Sequence, residues 1–402
     1  MKLTKILFAL LLIVMQANAQ DSITARPVWT RQQANEWYNK QPWLVGANFA
    51  PSTAINQLEM WQAESFDTAT ISRELGWAAA IGMNSMRVFL HDLLYMQDAE
   101  GFLNRMDTFL AIAQRHHIKI MFVLFDSVWD PFPKLGTQRA PKPHVHNSGW
   151  VQSPGVEALK DSTQYPRLQQ YVTGVVQHFA DDERVLAWDV WNEPDNTNNG
   201  SYGKYELKNK TKYVTPLLKK VFEWTRSVHP SQPLTSGVWA GDWRVHKKMK
   251  LWEKIQIEQS DVISFHNYDG PAKLENSIKL LLRYKRPILN TEYMSRGNGS
   301  FFKGSLPIFK KYKIAAFNWG LVAGKTNTIY PWDSWKKKYT GEPTLWFHDI
   351  FRPDGTPYRK SEVDLIKKII GTKNAFAVLS RYRLYIPVSA VYKPAALVHG
   401  IK

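Results

Sequence analysis

Ala187-Trp188-Asp189-Val190-Trp191-Asn192-Glu193-Pro194 is the end of a strand followed by a turn. The apolar run over 186–191 has the length and composition of a buried strand. Pro194 has no N–H to give a ladder, so the sheet stops there and Glu193 leaves it just as the chain turns. Working outward, the same signature recurs at 44–49, 85–90, 119–125, 233–239, 261–266, 287–291 and 314–319. With 186–191 that makes eight short apolar runs, each ending in polar or aromatic residues. They are continuous and do not alternate, as expected for parallel strands buried on both faces. Between them the spacing turns helical. Asp67 can cap a helix in which Ile71, Leu75 and Ala79 recur every four residues. Phe102, Met106, Phe109 and Ala113 repeat the pattern, as do Leu168, Tyr171, Val172, Val175 and Phe179, and then Leu217, Val221 and Trp224. Strand and helix in alternation predict an α/β chain with a parallel sheet, and eight strands predict a single (β/α)8 barrel.

The flanks read differently. Lys2 and Lys5 precede an uncharged apolar run over 6–14, and Ala17-Asn18-Ala19 is a small-x-small cleavage site. Residues 1–19 therefore read as a signal peptide, too short to span a bilayer of about 30 Å. The barrel domain is expected over 20–371, and 372–402, without a clear amphipathic repeat, as a disordered or loosely packed tail. An export signal in a chain without cysteine suits a secreted or periplasmic protein with no disulfides and no thiolate metal sites. After signal cleavage no membrane association is expected.

The formal net charge is +17. It fits either an anionic partner or a solvated basic surface. The lysines cluster in patches such as 247–248 and 336–338 without a nucleic-acid module, so the surface reading is preferred and no nucleic-acid partner is expected.

The chemistry lies at the strand ends. Barrel sites are built from the C-terminal ends of strands, and two glutamates stand there: Glu193 on the fourth strand, and Glu292 in Pro287-Ile288-Leu289-Asn290-Thr291-Glu292-Tyr293 on the seventh. Cleaving a glycoside with retention needs two carboxyls about 5 to 5.5 Å apart, one protonated and one nucleophilic. Asn192 can donate a hydrogen bond to a sugar hydroxyl. Seventeen tryptophans offer flat rings for stacking on sugars.

Over about 44–370 the sequence resembles the clan A glycoside hydrolases, and most closely family 5, the cellulase-type members. The resemblance implies Glu193 as acid/base and Glu292 as nucleophile. It also implies Arg87 as the residue that orients the nucleophile, and His266 and Tyr268 as the strand-six pair whose Tyr hydroxyl touches it. Trp319 resembles the strand-eight tryptophan that floors the sugar subsite. The sequence departs from many family members after strand three, where Leu124-Phe125-Asp126-Ser127-Val128-Trp129 has no histidine. Asp126 is expected to face the cleft and Trp129 to form a sugar platform.

The implied function is retaining hydrolysis of a β-linked polysaccharide or oligosaccharide, with glucan, mannan and xylan all open. No cofactor and no metal are expected: His144/His146 lack a carboxylate at ligand spacing, and His116-His117 sits at a helix end. A non-catalytic glycan-binding barrel, the rival reading, would keep the tryptophans but has no need for both glutamates with Arg87 and Tyr268. Two long insertions, 127–165 after strand three and 325–354 after strand eight, should rise over the catalytic face and restrict the cleft.

Overall fold

A computed structural model of the chain describes residues 25–371 apart from 242 and 244. The expected signal peptide and C-terminal tail lie outside the described residues. All eight expected strands form: β1 (Val45–Asn48), β2 (Ser85–Phe89), β3 (Lys119–Val123), β4 (Val185–Asp189), β5 (Leu234–Thr235), β6 (Ile263–His266), β7 (Ile288–Tyr293) and β8 (Ala315–Trp319). They are hydrogen-bonded in the order β5-β4-β3-β2-β1-β8-β7-β6, with every pairing parallel. β5 is the weak stave, with only two residues in its ladder to β4. The chain beyond it still closes the barrel onto β6: Val238 N–H donates to Ser264 O at 3.1 Å and His266 N–H to Val238 O at 3.0 Å. The described residues form a single (β/α)8 barrel.

Eight outer helices follow the strands: α1 (Thr68–Ala80), α2 (Ala99–Arg115), α3 (Tyr165–His178), α4 (Thr211–Ser227), α5 (Leu251–Glu258), α6 (Pro271–Leu282), α7 (Phe302–Lys311) and α8 (Lys360–Ile370). Asp67 caps α1, accepting from the Thr70 N–H at 3.0 Å. The apolar stripes face the barrel. Phe102, Met106, Phe109 and Ala113 of α2 are fully buried, as are Leu168, Tyr171, Val172 and Val175 of α3. Burying each large side chain of this kind contributes about 1.5–3 kcal/mol. On α1 the buried row runs Ile71, Leu75, Ala78, while Ala79 is half-buried. A strict four-residue repeat drifts off a helix of 3.6 residues per turn, and within two turns the row has moved back by one position.

The floor of the barrel is sealed by a helix that sequence periodicity did not disclose, Arg31–Asn39, capped by Thr30 and Gln33 in a reciprocal box. Its Ala34 and Trp37 join Leu44, Met121, Leu186, Leu289 and Phe317 beneath the barrel. With that end closed, the opposite mouth is where side chains can meet solvent. Among the described residues no helix is long and apolar enough to cross a membrane.

The two insertions cross the mouth and bind each other. Asn147 N–H donates to Thr326 O at 2.7 Å, His146 N–H to Ser334 Oγ at 3.0 Å, and the Trp335 indole N–H to His146 O at 2.8 Å. Trp129 and Trp335 stack across the junction, with rings 5.9 Å apart and 9° from parallel. The result is one continuous wall built from two distant stretches of chain.

Candidate active site

Arg87, the middle residue of β2, organises the mouth. It is fully buried, and its Nη1 donates to Asn48 Oδ1 at 2.8 Å and to Glu292 Oε1 at 2.9 Å. Nη2 donates to Asp189 Oδ2 at 2.8 Å and to Asn192 Oδ1 at 2.7 Å, and Nε to Asp189 again at 3.0 Å. One guanidinium thus ties β1, β2, β4 and β7 together beneath the cleft. Its charge is opposed by desolvation but supported by Asp189 and Glu292, and the balance leaves it more basic than an ordinary arginine.

Both glutamates reach the mouth through irregular backbone. β7 carries one extra residue against both neighbours: Phe265 and His266 pair with Asn290 and Glu292, skipping Thr291. Such a bulge re-aims the side chain that follows it, and here it turns Glu292 toward Arg87. Glu193 has a φ of 43°, in the left-handed region that non-glycine residues seldom occupy and that costs energy to hold.

The two carboxylates and the imidazole between them are close. One ligand atom from each of Glu193, His266 and Glu292 lies within 4.8 Å of the others. His266 Nδ1 is 2.7 Å from Glu193 Oε1 and 3.5 Å from Glu292 Oε2. The two glutamates differ in company. Glu292 receives Arg87 and the Tyr268 hydroxyl, at 2.8 Å from Oε2. Glu193 receives the neutral Asn196 amide, at 2.6 Å from Oε2. Burial pushes Glu193 up to about 7, with the Asn196 hydrogen bond opposing. Burial raises Glu292 as well, opposed by His266 and Arg87 and helped by the Glu193 charge. Burial holds His266 down at about 4, so its ring is neutral near pH 7. The arrangement offers a proton at Glu193 and, at Glu292, a carboxyl faced by the Arg87 guanidinium and the Tyr268 hydroxyl.

These three donors could in principle hold a cation. Arg87 already occupies that electrostatic role 2.9 Å from Glu292, and Glu193 and His266 already share a hydrogen bond, so the set suits proton exchange better.

The cleft has two lobes that share Glu193, Trp239, Tyr268 and Trp332. The smaller, of about 280 Å³, holds Glu292, Asn192, Trp129 and Trp319. The larger, of about 590 Å³, extends past Glu193 to Trp243, Asn298 and Leu280, away from Glu292. The structure brings Glu193, Glu292, Arg87, Asn192, His266, Tyr268, Trp319 and Trp129 together at the mouth.

Asp126 is not among them. It is 1% exposed and lies under the cleft, where it accepts from Asn192 Nδ2 at 2.9 Å, Trp150 Nε1 at 2.7 Å and Val128 N–H at 3.0 Å. With its oxygens engaged below the surface it has nothing to offer a sugar. It holds Trp150, whose ring meets Trp319 edge-on at 5.9 Å, so Asp126 supports the floor from beneath. Asn192 is likewise tied at both ends, to Arg87 and to Asp126, which leaves one amide hydrogen for a substrate.

Several lining residues were not singled out in the sequence. Trp239 ends the fifth expected strand, on the catalytic face, and its position alone could have flagged it; its indole N–H is fixed by Asp195 Oδ1 at 2.7 Å. His348 carried no comparable signal, because its partners lie far away in sequence, and His146, weighed from the sequence only as a metal ligand, lines the cleft instead.

Residues 143–258, which include β4 and Glu193 but not Arg87 or Glu292, match the model of glycosyl hydrolase family 10. No curated protein matches the chain. Among solved structures, similar folds include the GH5_18 protein from Streptomyces cattleya in complex with GlcNAc. It is 12% identical, with a TM-score of 0.54 over 83% of this chain and 81% of that one. The exo-β-1,4-mannosidase Op5Man5 from Opitutaceae bacterium strain TAV5 is 16% identical, with a TM-score of 0.54 over 84% of this chain and 60% of that one. The endo-1,4-β-D-mannanase from Thermotoga petrophila RKU-1 is 14% identical, with a TM-score of 0.51 over 82% and 99%. The chain shares the (β/α)8 barrel fold of these glycoside hydrolases. The comparisons do not single out family 5, since the matching family model is that of family 10.

Proposed function

We propose that the protein is a retaining β-glycoside hydrolase acting on a β-linked glycan or oligosaccharide by double displacement. Glu193 protonates the glycosidic oxygen while Glu292 attacks the anomeric carbon. Glu193 then takes a proton from water, which releases the sugar from Glu292. The observation that carries this reading is the carboxyl pair. Its oxygens approach within 4.8 Å, one carboxyl paired with a guanidinium and a phenol, the other buried without a cation of its own. An inverting enzyme needs room for a water between carboxyls roughly 6.5–9.5 Å apart. A non-catalytic binding barrel gains nothing from two adjacent carboxyls, one held by a guanidinium and a phenol and the other by a neutral amide. Since the nucleophile lies in the smaller lobe, that lobe takes the glycone and the larger one the leaving group. The export signal read at residues 1–19 puts the reaction outside the cytoplasm.

The test is Glu193→Ala. Activity on glycosides with poor leaving groups should fall far more than on activated aryl glycosides, which need little protonation. Azide should restore turnover of the activated substrates and yield a β-glycosyl azide. The panel should include aryl β-mannosides, the bond class named for two of the structural neighbours, beside β-glucosides and β-xylosides. Equal loss on both leaving-group types with no azide product would overturn the assignment.

A further inference from the structure

The smaller lobe contains two histidines that the mechanism does not use. His146 comes from the β3 insertion and His348 from the β8 insertion; both are buried and their rings lie 5.3 Å apart. In each, Nδ1 meets a backbone carbonyl: His146 that of Tyr330 at 2.7 Å, His348 that of Met294 at 2.5 Å. A carbonyl has no proton to give, so Nδ1 carries the hydrogen in both rings and Nε2 is left as a bare acceptor. His348 Nε2 is buried without a protein partner, a costly state for a polar atom unless something in the lobe donates to it. Burial keeps both rings neutral, His146 at about 4 and His348 well below the usual range, so neither can become a double donor near pH 7.

The rest of the lobe agrees with that polarity. Among the described residues lining it there is no lysine or arginine. Arg87 lies beneath it, already engaged by Asp189 and Glu292. A carboxylated sugar in this lobe would meet Glu292 and two imidazole lone pairs with no free cation to balance it. At about 280 Å³ the lobe falls just below the roughly 300–1,000 Å³ of sites for drug-sized ligands, enough for one sugar ring over Trp319 and not for several.

We propose that His146 and His348 are specificity residues that accept hydrogen bonds from two hydroxyls of a single, uncharged glycone sugar. The inference rests on the glycosidase reading above and deepens it. It assigns the site to neutral glycosides in spite of the chain's net charge of +17. The basic surface then has no role in choosing the sugar that is cleaved.

The experiment combines substrate and protein changes. Wild-type protein is assayed on an aryl β-glycoside of a neutral hexose, on its 2-, 3-, 4- and 6-deoxy analogues and on the matching uronide. His146→Phe and His348→Phe are then assayed on the same set, with His348→Gln as a milder variant that keeps an acceptor. Two deoxy positions should lower kcat/KM of the wild type by roughly 5- to 150-fold, the range for leaving one buried polar group unpaired. One of these losses should vanish in the His146 variant and the other in the His348 variant. The uronide should be the poorest substrate. The proposal is overturned if the variants lose the same factor on every analogue, since the histidines would then only support the wall. It is equally overturned if the uronide is preferred. The wild-type arm stands even if a variant fails to fold: deoxygenation that is harmless at every position also refutes it. If the wild type cleaves no glycoside at all, what fails is the glycosidase reading.

Discussion

Replacing Glu193 by Gln should make the protein more stable, and more so at high pH than at low. In the unfolded chain the carboxyl titrates near 4.5, while in the fold burial moves it to about 7. A value raised by folding means that the native state resists ionisation: the cost is absent well below 4.5 and complete above about 7. With about 1.36 kcal/mol per pH unit, ionising Glu193 destabilises the fold by under about 1 kcal/mol at pH 5 and on the order of 3 kcal/mol at pH 8. Gln at this position carries no such cost at either pH. The amide can accept from Asn196 and donate to His266 Nδ1, as the protonated carboxyl does, so it keeps both contacts. Relief of the repulsion between Glu193 and Glu292 acts in the same direction as the main effect. For a chain of this size the difference of about 2.5 kcal/mol is roughly 3–6 °C in Tm. The assay is thermal unfolding of wild type and E193Q at pH 5 and pH 8, with hydrolysis measured in parallel. The gain in Tm should be larger at pH 8 while hydrolysis of unactivated substrates is lost. An equal Tm difference at the two pH values would refute the claim that burial keeps this carboxyl protonated.

Tyr268→Phe removes the hydroxyl that donates to Glu292 Oε2 and leaves the ring in place. A hydrogen bond to a charged group is worth about 1.5–3 kcal/mol, so Glu292 should become harder to ionise and the acid limb of the kcat/KM profile should move up by about 1–2 pH units; an unmoved limb refutes the contact's role. Trp335→Ala removes both the stack on Trp129 and the indole bond to His146 O. KM for short oligosaccharides should rise several-fold with kcat less affected. Polymer digestion should shift from steady release of mono- or disaccharides toward an early fall in viscosity; unchanged products would show that the wall does not restrict the cleft.

The barrel was readable because its strands are buried on both faces, which makes each one a continuous apolar run between helical stripes. The one expected stripe member that slipped, Ala79, did so because a four-residue repeat outruns the helix. Glu193 and Glu292 were readable because barrel chemistry gathers at strand ends, and both ends were visible. What the sequence could not show was how they arrive there. The extra residue at Thr291 that turns Glu292 inward and the left-handed backbone of Glu193 leave no local mark. Asp126 was placed in the cleft by analogy with its position at a strand end. Its partners Trp150 and Asn192 lie 24 and 66 residues away, and they draw it below the surface. His146 and His348 are more than 200 residues apart, and only the fold makes them neighbours.

The wall over the cleft bears on how the protein could be re-engineered or diversify. Its halves share a backbone hydrogen bond, further bonds between side chains and backbone, and an aromatic stack, so neither presents its surface properly without the other. Transplanting the β3 insertion alone into another barrel would carry over Trp129 and His146 but not the residues that hold them. A working graft has to move both insertions as one cassette, and drift in either is held back by the other.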